Sequence, residues 1–272
     1  MSIASATPLE SVAKASQGPH WFQVYLDSNT GTNEALLDRV SSAGFSALVV
    51  TVDAQVQGNR ERDRRHRVRM PLAPSPHNVL HFAPQLMARP RWTLGYIRDG
   101  LPTSFGSVPP SRIIKSGTAT TTWETVARLR RVWNDRLVLK GILSSEDARR
   151  AVDEGVDAIA VSNHGGRQLD GTPAPLAVLP GIRAAIGDQI PLLIDGGIRR
   201  GSDVVKAVAL GADAVMIGRP YLYGLAIGGT DGVSRILEIL RTDIIRTLTL
   251  LGLSSIDEVG PGSVDARALR CL

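Results

Sequence analysis

Short runs of uniformly apolar residues alternate along the chain with longer amphipathic stretches, most clearly in the second half. RLVLK (136–140), DAIAVSN (157–163), IPLLIDGG (190–197) and DAVMIGRP (213–220) each hold consecutive Val, Leu, Ile or Ala. A strand with one wet face alternates apolar and polar positions, whereas a strand that is apolar throughout is buried on both faces, as in a parallel sheet. Helix signals lie between these runs. SSEDARRAVDEG (144–155) opens on serines, carries acids in its first turn and stops at Gly155. Further helices are predicted over 175–186, over 201–212 with Ser202 as the cap, and over 220–227 and 231–252. The first half repeats the theme: MSIAS (1–5) as a very short strand, a helix over 8–16, a strand over 20–26, a helix over 32–44 beginning at Thr32, and a strand over 46–52.

Strands that alternate with helices in this way are βα units. Tyr25, Asp53, Lys140, His164, Asp195 and Arg219 all fall at carboxyl ends of predicted strands. In an α/β barrel those ends meet at one rim, where the chemistry sits. In an open doubly wound sheet they line a crevice, but no GxGxxG follows the first strand, so the barrel is preferred. The expected fold is therefore a TIM (β/α)8-type barrel forming one domain over 1–272. The strands at 1–5, 20–26, 46–52, 136–140, 156–162, 190–195 and 213–217 leave it one short of closure, so the barrel is expected to be incomplete. Residues 55–120, rich in Arg and Pro, form a long excursion after the strand ending near Asp53, expected to be a lid or binding loop.

Composition narrows the partners. Of the 272 residues, 43% are hydrophobic and 21% charged, an ordinary globular balance. The net charge of +5 is concentrated partly in RERDRRHRVR (60–69). Aromatic residues do not interleave with that run, so a solvated loop is the plainer reading and nucleic acid is not an expected partner. The Leu, Phe, Trp and Tyr farther along the excursion point either to packing on the barrel or to a membrane surface. Cys271 is the one cysteine, which excludes an intrachain disulfide, a CxxC pair and a cysteine-rich metal site. No signal-like segment or membrane-length apolar run is present, so a cytoplasmic location is expected, with the inner-membrane surface as the alternative.

Two glycine-rich loops follow the last two predicted strands, DGGIRRG (195–201) and IGRP (217–220). Glycines let backbone N–H groups approach an anion, helix N-termini add a favourable dipole, and Arg199 or Arg219 adds charge; a phosphate site is expected there. IAVSNHGGRQLDG (159–171) raises a different question, because a buried strand ends by presenting His164 and Arg167 around two glycines. Arg binds a carboxylate through a planar fork, Asp53 could hold an imidazole in one tautomer, and Lys140 could stabilise developing negative charge. Each also has a plain reading: a satisfied histidine in a turn, a turn aspartate, a surface lysine. Together they make a site for an acid that must lose a proton.

SNHGGRQLDGTPAP (162–175) and DGGIRRGSDVVKAVALGADAVMIGRP (195–220) resemble the FMN-dependent α-hydroxy acid oxidase and dehydrogenase family, whose members act on acids such as glycolate, lactate and mandelate. WFQVYLD, VVTVDAQVQGNRERD and LVLKGI match in order, so the likeness covers nearly the whole chain and is weak only over 61–120. The resemblance implies a flavoprotein oxidoreductase that oxidises a small L-2-hydroxy acid, lactate-like, to the 2-oxo acid by hydride transfer to FMN. It places Ser2, Gln23, Thr51, Lys140 and Ser162 around the flavin ring and ribityl chain, and Asp195, Gly196, Gly197, Ile198, Arg199, Gly218 and Arg219 on the lower chain and phosphate. It makes His164 the base, supported by Asp53, with Tyr25 on the substrate oxygen and Arg60 and Arg167 on the carboxylate. No metal is implied. The electron acceptor is oxygen, a quinone or a cytochrome, and a homo-tetramer is the family's usual assembly. MSIAS matches the family's second strand, which accounts for the strand count. The alternatives are an inactive or flavin-free remnant, or another phosphate-binding barrel oxidoreductase. One such barrel group needs a loop cysteine as nucleophile, which Cys271 at the tail does not supply.

Overall fold

The apolar runs of the second half all become parallel strands. The computed structural model describes residues 1–5, 7–26, 30–56, 58–61, 65, 76–98 and 121–265. In chain order its main elements begin with α1 (Leu9–Ala15), β1 (Trp21–Val24), α2 (Thr30–Ser42), β2 (Ala47–Thr51), α3 (Pro76–Met87) and α4 (Pro90–Arg98). They continue with α5 (Trp123–Val132), β3 (Arg136–Ile142), α6 (Ser145–Asp153), β4 (Ala158–Val161) and α7 (Pro175–Ile186). The series closes with β5 (Leu192–Asp195), α8 (Gly201–Ala209), β6 (Ala214–Met216) and α9 (Arg219–Leu251). The chain divides into two compact units, one within residues 1–46 and 56–120, the other within 47–55 and 121–272.

In the first unit the predicted strand at 1–5 is a single parallel bridge, Ser2 to Gln23, flanked by Ile3 N–H donating to Gln23 O and Gln23 N–H to Met1 O, both at 2.8 Å. β1 and α2 bury Phe22, Val24, Leu37 and Val40, and the Phe22 ring meets Phe45 edge-on at 5.6 Å. α2 begins at Thr30 rather than Thr32. Arg39 on α2 forks onto the Glu10 carboxylate of α1, Nε at 2.5 Å and Nη2 at 2.9 Å, which holds that carboxyl below the usual glutamate range. Within the excursion the described residues include two helices, α3 and α4; Cys271, much of the basic run and 99–120 lie outside the described residues.

In the second unit β2, β3, β4, β5 and β6 pair in sequence order, every pair parallel. β2 and β4 are buried at every position, as their unbroken apolar runs require. Val49, Val138, Ala158, Ala160 and Leu193 pack together on one face, and Leu48, Leu139, Ile159 and Ile194 point the other way in the pleat and are also buried. Each such aliphatic side chain contributes about 1.5–3 kcal/mol on full burial. β6, at the end of the order, is only partly covered.

A repeated device starts the strands. Asp157, just before β4, accepts the Leu137 N–H of β3 at 2.8 Å and Arg130 Nη1 of α5 at 2.7 Å. Asp213, just before β6, accepts the Leu192 N–H of β5 at 2.7 Å and also binds Arg183 of α7. In each case an amide at the start of a strand is taken by the carboxylate that just precedes the next strand.

Two expectations need correction. α5 has no counterpart in the predicted elements, although Thr122 caps it by accepting the Thr125 N–H and Glu124 sits in its first turn. Ser202 does not cap α8: Asp203 Oδ2 takes the N–H groups of Arg199 and Arg200 at 3.0 and 2.9 Å, and Asp243 of α9 takes that of Gly201 at 2.7 Å. The two predicted closing helices are both present within α9, separated where expected by the non-helical Gly228 and Gly229. Replacing Asp157 by Ala leaves the buried Leu137 amide without its acceptor and the Arg130 guanidinium with only the Trp133 and Asp135 carbonyls. We expect Asp157→Ala to lower stability by about 1–3 kcal/mol in urea unfolding, and an unchanged midpoint would contradict the stapling role.

Candidate active site

Because β2 to β6 are parallel, Thr51, Asp53, Lys140, Ser162, His164, Asp195 and Arg219 all belong to the same end of the second unit's sheet. Lys140 Nζ lies 2.9 Å from Ser162 Oγ and 3.0 Å from Asp195 Oδ2, so three consecutive strands are joined by one ammonium. Ser162 is fully buried, and its oxygen also accepts the His164 N–H at 3.0 Å. With both lone pairs occupied, the Ser162 hydroxyl has only its proton left to offer. Asp195 Oδ1 is buried and has no partner. An unused donor and an unused buried acceptor therefore flank the same lysine, and a polar ligand is what such groups lack.

The second cluster is acid–base. His164 Nδ1 is 3.0 Å from Asp53 Oδ1, and both side chains are largely covered, 20% and 12% exposed. An ionised carboxylate only accepts, so it fixes the neutral imidazole as the Nδ1–H tautomer and leaves the Nε2 lone pair as a base. His164 is the one non-glycine with positive φ, +58°, among the described residues. That backbone costs about 1–3 kcal/mol and persists where its surroundings over-determine it. Here they do: Ser162 Oγ holds the His164 amide, and Asn163 Oδ1 accepts the Gly166 N–H at 3.2 Å while its Nδ2 donates to Pro173 O. The sequence gives Asn163 no role of its own, since there it reads as one more polar group of the loop.

The glycine loops are open. At Gly197 and Gly218 a Cβ would meet nothing within 4 Å, and both residues are exposed, so their amides are approachable. Gly196 is left-handed at φ +96°. Ile198 is buried, whereas Arg199 is exposed and Arg219 Nη2 donates to Gly165 O at 3.3 Å. Arg219 thus ties the second glycine loop to the histidine loop. Arg167 is exposed and outside the polar cluster. Thr51 is buried at the end of β2.

The remaining residues singled out from the sequence belong to the first unit. There Ser2 Oγ donates to Gln23 Oε1 at 2.7 Å, Tyr25 directly follows β1, and Arg60 is part-buried with its Nε enclosed.

Comparison with known proteins gives a consistent family. The profile described as FMN-dependent dehydrogenase matches residues 1–266. Pre-mycofactocin synthase of Mycobacterium tuberculosis is 40% identical over 276 residues, covering 97% of this chain and 69% of that protein. A putative L-lactate dehydrogenase of the same species is 41% identical over 254 residues, covering 91% and 60%. The crystal structure of the monotopic membrane protein (S)-mandelate dehydrogenase superposes with a TM-score of 0.88 at 37% identity, covering 97% of this chain and 72% of that one. The chain spans roughly two thirds of the length of these relatives.

The lysine knot carries its own test. Lys140→Met leaves Asp195 with neither oxygen paired. The expected cost is about 2 kcal/mol, below the ~3–5 kcal/mol of a fully buried pair because part of each side chain stays exposed. Adding Asp195→Asn should return at least half of it in urea unfolding; losses that simply add would show the two groups to be independent.

Proposed function

The chain belongs to the FMN-dependent dehydrogenase family, with FMN as its cofactor, and from that premise we propose that it oxidises a small L-2-hydroxy acid to the 2-oxo acid. The observation that carries the reading is the Asp53–His164 pair beside the Lys140 knot. FMN, when bound, supplies the two-electron acceptor. Lys140, Ser162 and Asp195 would hold its polar edge through the groups they leave unused, with Thr51 beside them. Gly196, Gly197, Ile198, Arg199, Gly218 and Arg219 would hold its lower chain and phosphate through approachable amides and positive charge. Lys140 would also favour negative charge on the bound ring.

The chain's own part is proton transfer. His164 Nε2 takes the substrate hydroxyl proton, and Asp53 stabilises the imidazolium that results while keeping the ring in place. Arg167, exposed beside this pair in sequence, offers a fork for the substrate carboxylate. Tyr25 and Arg60 are proposed as substrate contacts, and Ser2 and Gln23 as flavin contacts, on the family resemblance. The fold proposed with this reading is the (β/α)8 barrel. The relatives named for lactate and mandelate support the 2-hydroxy acid class.

The test is spectroscopic. The purified protein, reconstituted with FMN, should be yellow and bleach on anaerobic addition of L-lactate or another L-2-hydroxy acid. His164→Gln should keep its FMN and lose about 10²–10⁴-fold in the bleaching rate. A protein that binds no FMN, or is bleached as fast without His164, would refute the assignment. Reoxidation by air, a quinone or cytochrome c then identifies the acceptor class.

A second reading concerns location. Leu80, Met87, Trp92, Leu94 and Ile97 on α3 and α4 are exposed, and from Arg64 to Arg98 the chain contains no Asp or Glu. Among the described residues no helix is long and apolar enough to cross a membrane. Exposed apolar side chains beside Arg89 and Arg91 instead suit the interface of an anionic bilayer, where each basic residue adds about 1 kcal/mol. The solved relative described as monotopic supports this. Co-sedimentation with phosphatidylserine vesicles should fall at least tenfold for Trp92→Glu/Ile97→Glu; equal binding by the variant would exclude this surface.

A further inference from the structure

The ladder between β3 and β4 contains one irregularity. Lys140 pairs with Ala160 and Ile142 with Val161, so Gly141 is the extra residue of a bulge. Its φ is +113°, a region closed to L side chains. A Cβ at this position would lie 2.7 Å from Asp53 Cβ, 2.8 Å from Asp53 Cγ and 2.9 Å from the Asp53 backbone nitrogen. These obstacles are the root of the Asp53 side chain and its main chain, not a flexible tip. The approach is fixed one residue earlier, where Val52 N–H donates to Lys140 O at 2.8 Å. Asp53 therefore rests on bare β3 backbone on one side and holds His164 Nδ1 at 3.0 Å on the other.

We propose that Gly141 is a positioning residue for proton transfer: its missing side chain, set in the bulge, fixes where the Asp53 carboxylate stands and hence how His164 is held. The proposal rests on His164 being the base of the reaction proposed above. Gly141 touches no reacting atom and acts only through Asp53. Any side chain at 141 pushes Asp53 off the bulge, and a shift on the order of 1 Å in a catalytic constellation costs about 10²-fold in rate.

Gly211 supplies the control. Its φ is +106°, and a Cβ there would lie 2.9 Å from Arg183 Cγ and 3.0 Å from Arg183 Cβ, contacts that involve neither Asp53 nor His164. Imidazole ¹⁵N spectra of the FMN-reconstituted protein, with the His164 signals identified by their loss in His164→Gln, report the ring without requiring turnover. Gly141→Ala should move the His164 nitrogens in the same direction as Asp53→Asn, while Gly211→Ala leaves them in place. Where the parent is bleached by a 2-hydroxy acid, Gly141→Ala should retain FMN and lose about 10²-fold in rate. Gly141→Ala/Asp53→Asn should then be no slower than Asp53→Asn alone. Unmoved His164 nitrogens in folded Gly141→Ala, or rate losses that multiply, overturn the proposal. If Gly141→Ala does not fold while Gly211→Ala, with comparable backbone strain, does, Asp53→Gly in the Gly141→Ala background removes two of the three obstacles and should restore a cooperative unfolding transition; no recovery beside a folded Gly211→Ala overturns it equally. A parent that is never bleached, with the nitrogen shifts as expected, sinks the reaction while leaving the steric relation between the two residues standing.

Discussion

Parallelism is the constraint from which the candidate site derives. With β2 to β6 all running one way, residues far apart in sequence reach the same edge: Asp53, Lys140, Ser162, His164 and Asp195 come from four successive strand ends. An antiparallel neighbour would have sent every second one to the opposite end. Parallel pairing requires a crossover between strands, and the sequence spends α6, α7 and α8 on those crossovers within the second unit. The same requirement explains why the strands carry almost no polar residue until their last positions, since both faces are covered.

Polar groups at that edge are arranged so that each solves a problem left by another. Lys140 is neutralised by Asp195 and hydrogen-bonded to Ser162; Ser162 in turn secures the amide of His164, whose left-handed backbone needs support. Asp53 orients the imidazole, and Asn163 and Arg219 fasten the loop to its neighbours. Such a network is rigid because few members have a spare partner. The exceptions are the Ser162 hydroxyl proton and the second oxygens of Asp53 and Asp195, both of which are enclosed and unpaired. An apolar edge would have no such atoms, and a purely structural one would have satisfied them.

Much of this was legible in the sequence, and the misses have physical causes. The buried strands at 136–140, 156–162 and 190–195 announce themselves because burial on both faces forces an unbroken apolar run. His164, Lys140 and Asp195 were legible because they interrupt those runs at one end. α5 is hard to read because WETVARLRRV follows an Arg- and Pro-rich stretch and scatters its five apolar residues among four charged ones, although its Thr cap is visible. Ser202 reads as the cap because the true acceptors, Asp203 and Asp243, depend on chain geometry, the latter 42 residues downstream of Gly201. Gly141 could not be distinguished from any other glycine, since its significance lies in what stands opposite it.

The strand-start aspartates imply an order of completion. β3 contains all its own apolar residues, yet the amide of Leu137 finds its acceptor only in Asp157, and that of Leu192 only in Asp213. Each of these two strands is thus finished by the residue just ahead of its successor. On a growing polypeptide, one βα module stays open at its leading edge until the ribosome has delivered the beginning of the next.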